Sequence, residues 1–149
     1  MKKNVIVSFL IFSSLISFAQ FSFKTGSQEL DANLNEMNTY AKVDFGAFKT
    51  ELSASFNVKE QKINFLRTSV KMEPAEIYFA LELSRLSHKS IDQVVEVYKV
   101  NRDKGWGYVA KQLGIKPGSS EFHQLKERTK SKGAQGKAKG KDKGRGKRK

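Results

Sequence analysis

A chain of 149 residues with a formal charge of +13 and no cysteine can use neither disulfides nor thiolate-bound metal, so its fold must rest on a hydrophobic core. Residues 131–149 hold nine Lys/Arg against Asp142 alone, and Lys2 and Lys3 add two more positive charges. Removing the tail's +8 and the leader's +2 from the total leaves only +3 for residues 20–130. The basic balance thus belongs to the tail, which excludes the usual case for a basic nucleic-acid-binding domain.

In chain order, Lys2 and Lys3 precede an uncharged, mostly apolar stretch from Val5 to Ile16, and Ser17 and Ala19 place small residues before Gln20. This is the pattern of a cleavable signal peptide over 1–19. About twelve apolar residues fall short of the roughly 20 that span a bilayer, so no transmembrane anchor is expected. With no cysteine to carry a lipid, the mature protein is expected to be periplasmic or secreted, and soluble.

Residues 20–130 suffice for one small domain, and helix signals recur along them. Ser27 caps a segment with Leu30, Leu34, Met37 and Ala41 on one face. Phe45, Phe48, Leu52 and Phe56 fall at helical spacing, although Phe48 to Val58 also alternates as a strand would; with no partner strand in sight, helix is the reading. Asn57 followed by Glu60 resembles a capping box ahead of Ile63 and Leu66. Glu73-Pro74 opens a segment carrying Ile77, Tyr78, Leu81 and Arg85. Ser90 with Gln93 forms a second capping box before Val94, Val95 and Tyr98. Trp106, Val109, Ala110 and Leu113 share a face that ends at Gly114, and Pro117-Gly118-Ser119 starts a last helix with Phe122 and Leu125. A weak repeat of 31–32 residues relates Leu52–Leu81 to Leu83–Leu113. Each unit reads as a helical hairpin that stacks on the next. The predicted fold class is all-α, a small bundle of short helices in helix-turn-helix-like hairpins. Residues 131–149 have no aliphatic side chain larger than Ala and no aromatic, so a disordered tail is expected.

The most distinctive stretch runs from Lys104 to His123 and contains Gly105-Trp106-Gly107, Ala110-Lys111-Gln112-Leu113-Gly114-Ile115, Lys116-Pro117-Gly118-Ser119 and Glu121-Phe122-His123. It resembles a family of exported bacterial proteins of unknown function, and the resemblance extends upstream through Met72-Glu73-Pro74-Ala75-Glu76 to about Phe45. That family implies export and no particular activity. Gly105 and Gly107 permit a tight backbone corner with Trp106 offered to the core. The alternative use of this corner is a stacking platform of Trp106 and Tyr108 for a sugar, peptide or base. Val109 to Ile115 also has the form of a DNA-binding helix and turn, but Glu121, Phe122 and Glu127 then stand where a groove reader needs Arg, Asn or Gln.

Residues for catalysis are sparse. His88 and His123 are far apart in sequence without metal-ligand spacing, and Glu73, Glu76 and Glu82 read as the wet face of a helix. No catalytic residue, cofactor or metal is expected, and the chain is read as no enzyme. The expected function is an exported binding or structural module whose domain has an unidentified partner. Its tail residues Lys137, Lys139, Lys141, Lys143, Arg145, Lys147, Arg148 and Lys149 would contact an anionic surface, a polysaccharide or nucleic acid. A nucleic-acid-binding protein acting outside the cytoplasm through the same tail is the alternative.

Overall fold

Side chains that satisfy the free N–H groups of a first helical turn decide where most of the helices begin. The structure, a computed structural model, describes residues 22–145, with side chains described as far as Gly136 and at Ala138. Its elements are α1 (Gln28–Val43), α2 (Phe45–Phe56), α3 (Glu60–Thr68), α4 (Pro74–Ser87), α5 (Ile91–Asn101), a 3-10 turn (Arg102–Lys104), α6 (Trp106–Gln112) and α7 (Ser120–Arg145). No strand occurs among the described residues. The all-α class is therefore as the sequence predicts, and the segment at 45–56 is helical. No described helix is long and apolar enough to cross a membrane.

The caps follow the sequence at most positions. Ser27 Oγ accepts from the Leu30 N–H at 3.4 Å, and Asp44 Oδ1 accepts from the Ala47 N–H at 2.9 Å to start α2. Pro74 sits at the first turn of α4, where the Glu73 N–H donates to Glu76 Oε2 at 2.8 Å. Ser90 and Gln93 form the reciprocal box that opens α5, at 3.0 and 3.2 Å. Asn57 is a correction. It ends α2 in the left-handed region, with φ 51°, a conformation Asn tolerates better than most residues. Lys59 occupies the position before α3, and Glu60 pairs with Lys49 and Thr50 rather than with Asn57.

Helix α4 is the centre of the bundle. Every residue from Pro74 to Leu83 is buried, because α1, α2, α3, α5 and α7 all pack on it. A helix covered on all sides has no solvent face to leave polar. Asn38 of α1 reaches its first turn, Oδ1 accepting from the buried Ala75 N–H at 2.8 Å. Leu34, Met37, Leu52, Ile63, Leu66, Ile77, Phe79, Val94 and Leu125 fill the core around it, each fully buried aliphatic contributing about 1.5–3 kcal/mol. The repeat-related positions Ile63 and Val94, Ile77 and Val109, and Leu81 and Leu113 are all buried. Yet α4 has 14 residues where α6 has 7, and α1 and α7 lie together across α4. The result is a closed bundle of hairpins, not an open stack.

The boundary between domain and tail falls later than residue 130. Thr129 is buried, as are Gly133 and Gly136. Lys132 Nζ lies 2.5 Å from Glu51 Oε1 of α2, and its carbonyl accepts from the Tyr40 hydroxyl of α1 at 3.4 Å. A Cβ at Gly136 would stand 2.0 Å from the Tyr40 ring. The physical reason is close approach: glycines that read as linker in the sequence let α1 lie against α7. Beyond Gly136, the expectation of disorder falls on residues whose side chains, Ala138 apart, are outside those described.

Candidate functional site

The Gly-Trp-Gly corner receives the start of the described chain. Phe23 is 0 % exposed, and the irregular strap Phe23–Thr25, with Lys24 in the left-handed region at φ 51°, lies against the first turn of α6. The Trp106 N–H donates to the Phe23 carbonyl at 2.9 Å, and the Gly107 N–H donates to the Lys24 carbonyl at 3.0 Å. Two of the free donors of α6 are thereby satisfied by a distant backbone. Both glycines are needed for this approach. A Cβ at Gly105 would lie 2.4 Å from Lys24 Cβ, and one at Gly107 2.5 Å from the Thr25 carbonyl oxygen. Gly105 also has φ +85°, which disfavours any other residue. Thr25 is fixed in turn by Asp31, whose Oδ1 accepts from the Thr25 N–H at 3.1 Å and from its hydroxyl at 2.6 Å.

Trp106 is not a platform. It is 2 % exposed, with one face stacked on Tyr98 at 4.6 Å and 22° and Phe79 set edge-on at 5.4 Å. Its Nε1–H donates to Glu76 Oε1 at 3.0 Å, as does the Tyr98 hydroxyl at 3.0 Å. Glu76 is thus a buried hub joining α4, α5 and α6, not part of a wet face. Burial, and then the Glu76 charge, push ionisation of the Tyr98 hydroxyl well above its ordinary range, so it acts as a fixed donor. Tyr108 alone is accessible, at 36 %, and Lys104 Nζ stands 4.5 Å from its ring centre. One exposed ring already faced by a cation makes no stacking cleft.

A second feature lies between α2, α4 and α7. A cavity of about 300 Å³ is lined by Phe56, Tyr78, Glu82, Arg85, Arg128 and Lys132, among others. Arg85 and Phe56 separate it from a neighbouring apolar cavity of about 410 Å³ with Val58, Leu81 and Ile91 in its wall. Glu82 is buried, and both its oxygens accept from Arg85 Nη2, at 2.6 and 2.5 Å. The same guanidinium covers the Phe56 ring at 4.9 Å. Burial first, then the Glu82 charge, raise ionisation of the Tyr78 hydroxyl above its usual range. The acids and bases of this groove are largely paired with one another: Glu82 with Arg85, and Glu51 with Lys132. It is a self-neutralised seam. Sequence reasoning missed it because Lys132 read as tail and Glu82 as surface; the Glu82/Arg85 spacing of three on one helix was the available signal.

The remaining sequence candidates stay apart. His88 ends α4 in the left-handed region with φ 57°, and His123 is exposed on α7. Among the described residues no three His, Cys, Asp or Glu side chains converge as metal ligands. Glu121 opens α7, its carboxyl held below the ordinary value by hydrogen bonds from its own backbone, Ser120 and Ser119. It therefore places negative charge where a major-groove reader needs donors. Lys137, Lys139, Lys141, Lys143 and Arg145 fall on the backbone of α7, with their side chains outside the description; Lys147, Arg148, Lys149 and the leader 1–19 lie outside the described residues. No protein-family model, curated protein or solved structure matches the chain, so its function is read from its own residues.

Proposed function

We propose that this protein is an exported, non-enzymatic helical module, periplasmic or secreted, whose basic C-terminal tail holds it to polyanions. The observation that carries this reading is the separation of charge. In the packed domain acids nearly balance bases, and several cations meet acids directly: Lys42 with Glu73, Lys49 with Glu60, Lys62 with Asp92, Arg85 with Glu82, Lys126 with Glu29 and Lys132 with Glu51. From Lys137 onward eight basic residues face Asp142 alone in the sequence. Lys ammonium groups on long, rotatable stems meet phosphate or sulfate as point charges, so recognition by this tail is blind to sequence. The burial of Trp106 supports the same placement, since it removes the aromatic platform that would have put recognition on the domain.

The test is a binding panel of duplex DNA, single-stranded DNA, lipopolysaccharide and heparin at matched salt. Mature chain is compared with a chain ending at Gly136. Neutralising about eight single-strand phosphates gives a slope of roughly −5 to −6 for log affinity against log salt. The shortened chain should lose this binding while its helical signal persists. Equal binding by both chains would place recognition on the folded surface and overturn the proposal.

A further inference from the structure

The groove between α2, α4 and α7 sets a polar lobe beside an apolar one. The polar cavity of about 300 Å³ and the apolar cavity of about 410 Å³ share Ser55, Phe56 and Arg85 in their walls. Each is of the size that holds a small molecule, about 300–1,000 Å³. Three acids, Glu51, Glu82 and Glu127, and three bases, Arg85, Arg128 and Lys132, line the polar lobe. Their charges sum to zero, so the lobe has no net attraction for a polyanion. Two internal pairs, Glu82 with Arg85 and Glu51 with Lys132, account for four of the six. Glu127 and Arg128, exposed neighbours on α7, have no ion-pair partner among the described residues. Arg85 has donors to spare as well. Its Nη2 is bound to Glu82 and its guanidinium covers the Phe56 ring, while Nε and Nη1 meet no acceptor among the described residues. A positioned guanidinium thus stands at the wall common to both lobes. The ligand that fits this arrangement carries one negative charge, one positive charge and an aliphatic group.

We propose that this groove binds short zwitterionic peptides with aliphatic side chains, the dipeptide Leu-Leu being the simplest case. The terminal carboxylate docks on Arg128 and on the spare donors of Arg85, as charge-assisted hydrogen bonds. The terminal ammonium meets Glu127. An aliphatic side chain passes Arg85 and Phe56 into the lobe walled by Val58, Leu81 and Ile91, where leaving water favours it. A fatty-acid anion would set a like charge against Glu127, and a simple amine would set one against Arg128, so the zwitterion is preferred to either. Every residue invoked precedes Gly136. The site therefore goes beyond the tail reading and does not depend on it.

The experiment titrates the full mature chain calorimetrically with Leu-Leu, its N-acetyl and C-amide derivatives, Gly-Gly and octanoate. Leu-Leu should saturate the protein in the millimolar range or below, and each of the other four should bind at least about fivefold more weakly. Arg128→Gln should weaken Leu-Leu by a similar factor and leave the C-amide unaffected, because that derivative has no carboxylate to lose. Glu127→Gln should likewise weaken Leu-Leu and leave the N-acetyl derivative unaffected. Ser55→Phe, at an exposed position of α2, should fill the common wall and abolish binding. All three positions are exposed, and unchanged melting midpoints verify that the variants are folded. No saturation by about 5 mM Leu-Leu overturns the proposal. So does octanoate binding as tightly as Leu-Leu, which would make the groove a fatty-acid site. Equal loss of Leu-Leu and its C-amide in folded Arg128→Gln overturns the assigned carboxylate contact and the proposal with it.

Discussion

Two pairs of glycines, Gly105/Gly107 and Gly133/Gly136, each let one segment approach another, but they admit different things. At Gly107 the neighbour is backbone, the Thr25 and Lys24 carbonyls, and at Gly105 it is first the Lys24 side chain at Cβ; at Gly136 it is the Tyr40 ring, while Gly133 meets Asn33 only at ordinary contact distance. Backbone held by a buried Phe23 and by Asp31 resists displacement, whereas the half-buried Tyr40 ring, packed on Phe48 at 5.8 Å, is a side chain that can change rotamer. Glycine therefore matters for different reasons at the two ends of the domain. At the N-terminal strap it is required by geometry, and at the α1/α7 seam it is a preference set by one aromatic residue.

Substitutions can sharpen this contrast, beginning at the corner's centre. Trp106→Ala should cost about 3–5 kcal/mol in chemical denaturation, because lost burial is compounded by a cavity. It also leaves Glu76 Oε1 with Tyr98 as its remaining side-chain donor. Gly107→Ala should cost about 3 kcal/mol, near the upper end for overpacking, and no side-chain change at position 24 or 25 should rescue it, since the clash is with backbone. Gly136→Ala should cost only about 1 kcal/mol, the clash with Tyr40 being partly offset by better helix propensity. In a Tyr40→Ala background the same change should become stabilising, a reversal of sign that a double-mutant cycle measures. A Gly107→Ala effect as small and as rescuable as that of Gly136→Ala would erase the distinction.

Titration gives smaller and broader effects. Ionisation of Tyr40, Tyr78 and Tyr98 is raised above the ordinary value of 10.0, in each case first by burial. Groups whose folded pKa is raised contribute stability that is intact below the unfolded value and is lost as pH climbs past it. Melting midpoints should therefore hold up to about pH 10 and drop above it. Glu29, Glu60 and Glu121 are shifted the other way, Glu29 and Glu60 by their lysine partners first and Glu121 by backbone and serine hydrogen bonds. Their contribution is present above the ordinary value of 4.5 and fades as pH falls below it. Lying at the surface, where solvent screens their partners, they should give a shallow acid limb beside a steep alkaline one.

Much of the fold was legible because helix starts are written in local chemistry. Ser27, Glu73-Pro74 and Ser90/Gln93 mark the positions where α1, α4 and α5 begin. Asn57 misled because the same side chain serves at either end of a helix, and here its tolerance of positive φ prevailed. Glu76 and Glu82 looked like wet-face residues since nothing local reveals that five helices surround α4. Only the tertiary partners Trp106, Tyr98 and Arg85 make their burial affordable. The strap was silent for another reason. Three irregular residues have no periodicity, and their partner lies some eighty positions along the chain. Composition misplaced the tail boundary, because Gly133 and Gly136 contribute by what they lack, and a Lys/Gly-rich stretch resembles linker whether or not a tyrosine waits against it.

The division of the molecule into a packed domain ending at Gly136 and a charged tail beyond it is tested most directly by two truncations melted side by side with the full mature chain. A chain ending at Gly136 should melt within a few degrees of full length, since it retains the Lys132–Glu51 pair and the Tyr40 contacts. A chain ending at Lys130 loses both, and should melt lower by roughly 5–15 °C if about 1–2 kcal/mol resides in that seam. Equal midpoints for the two truncations would show that Ser131–Gly136 contribute nothing to the domain and would return its boundary to residue 130.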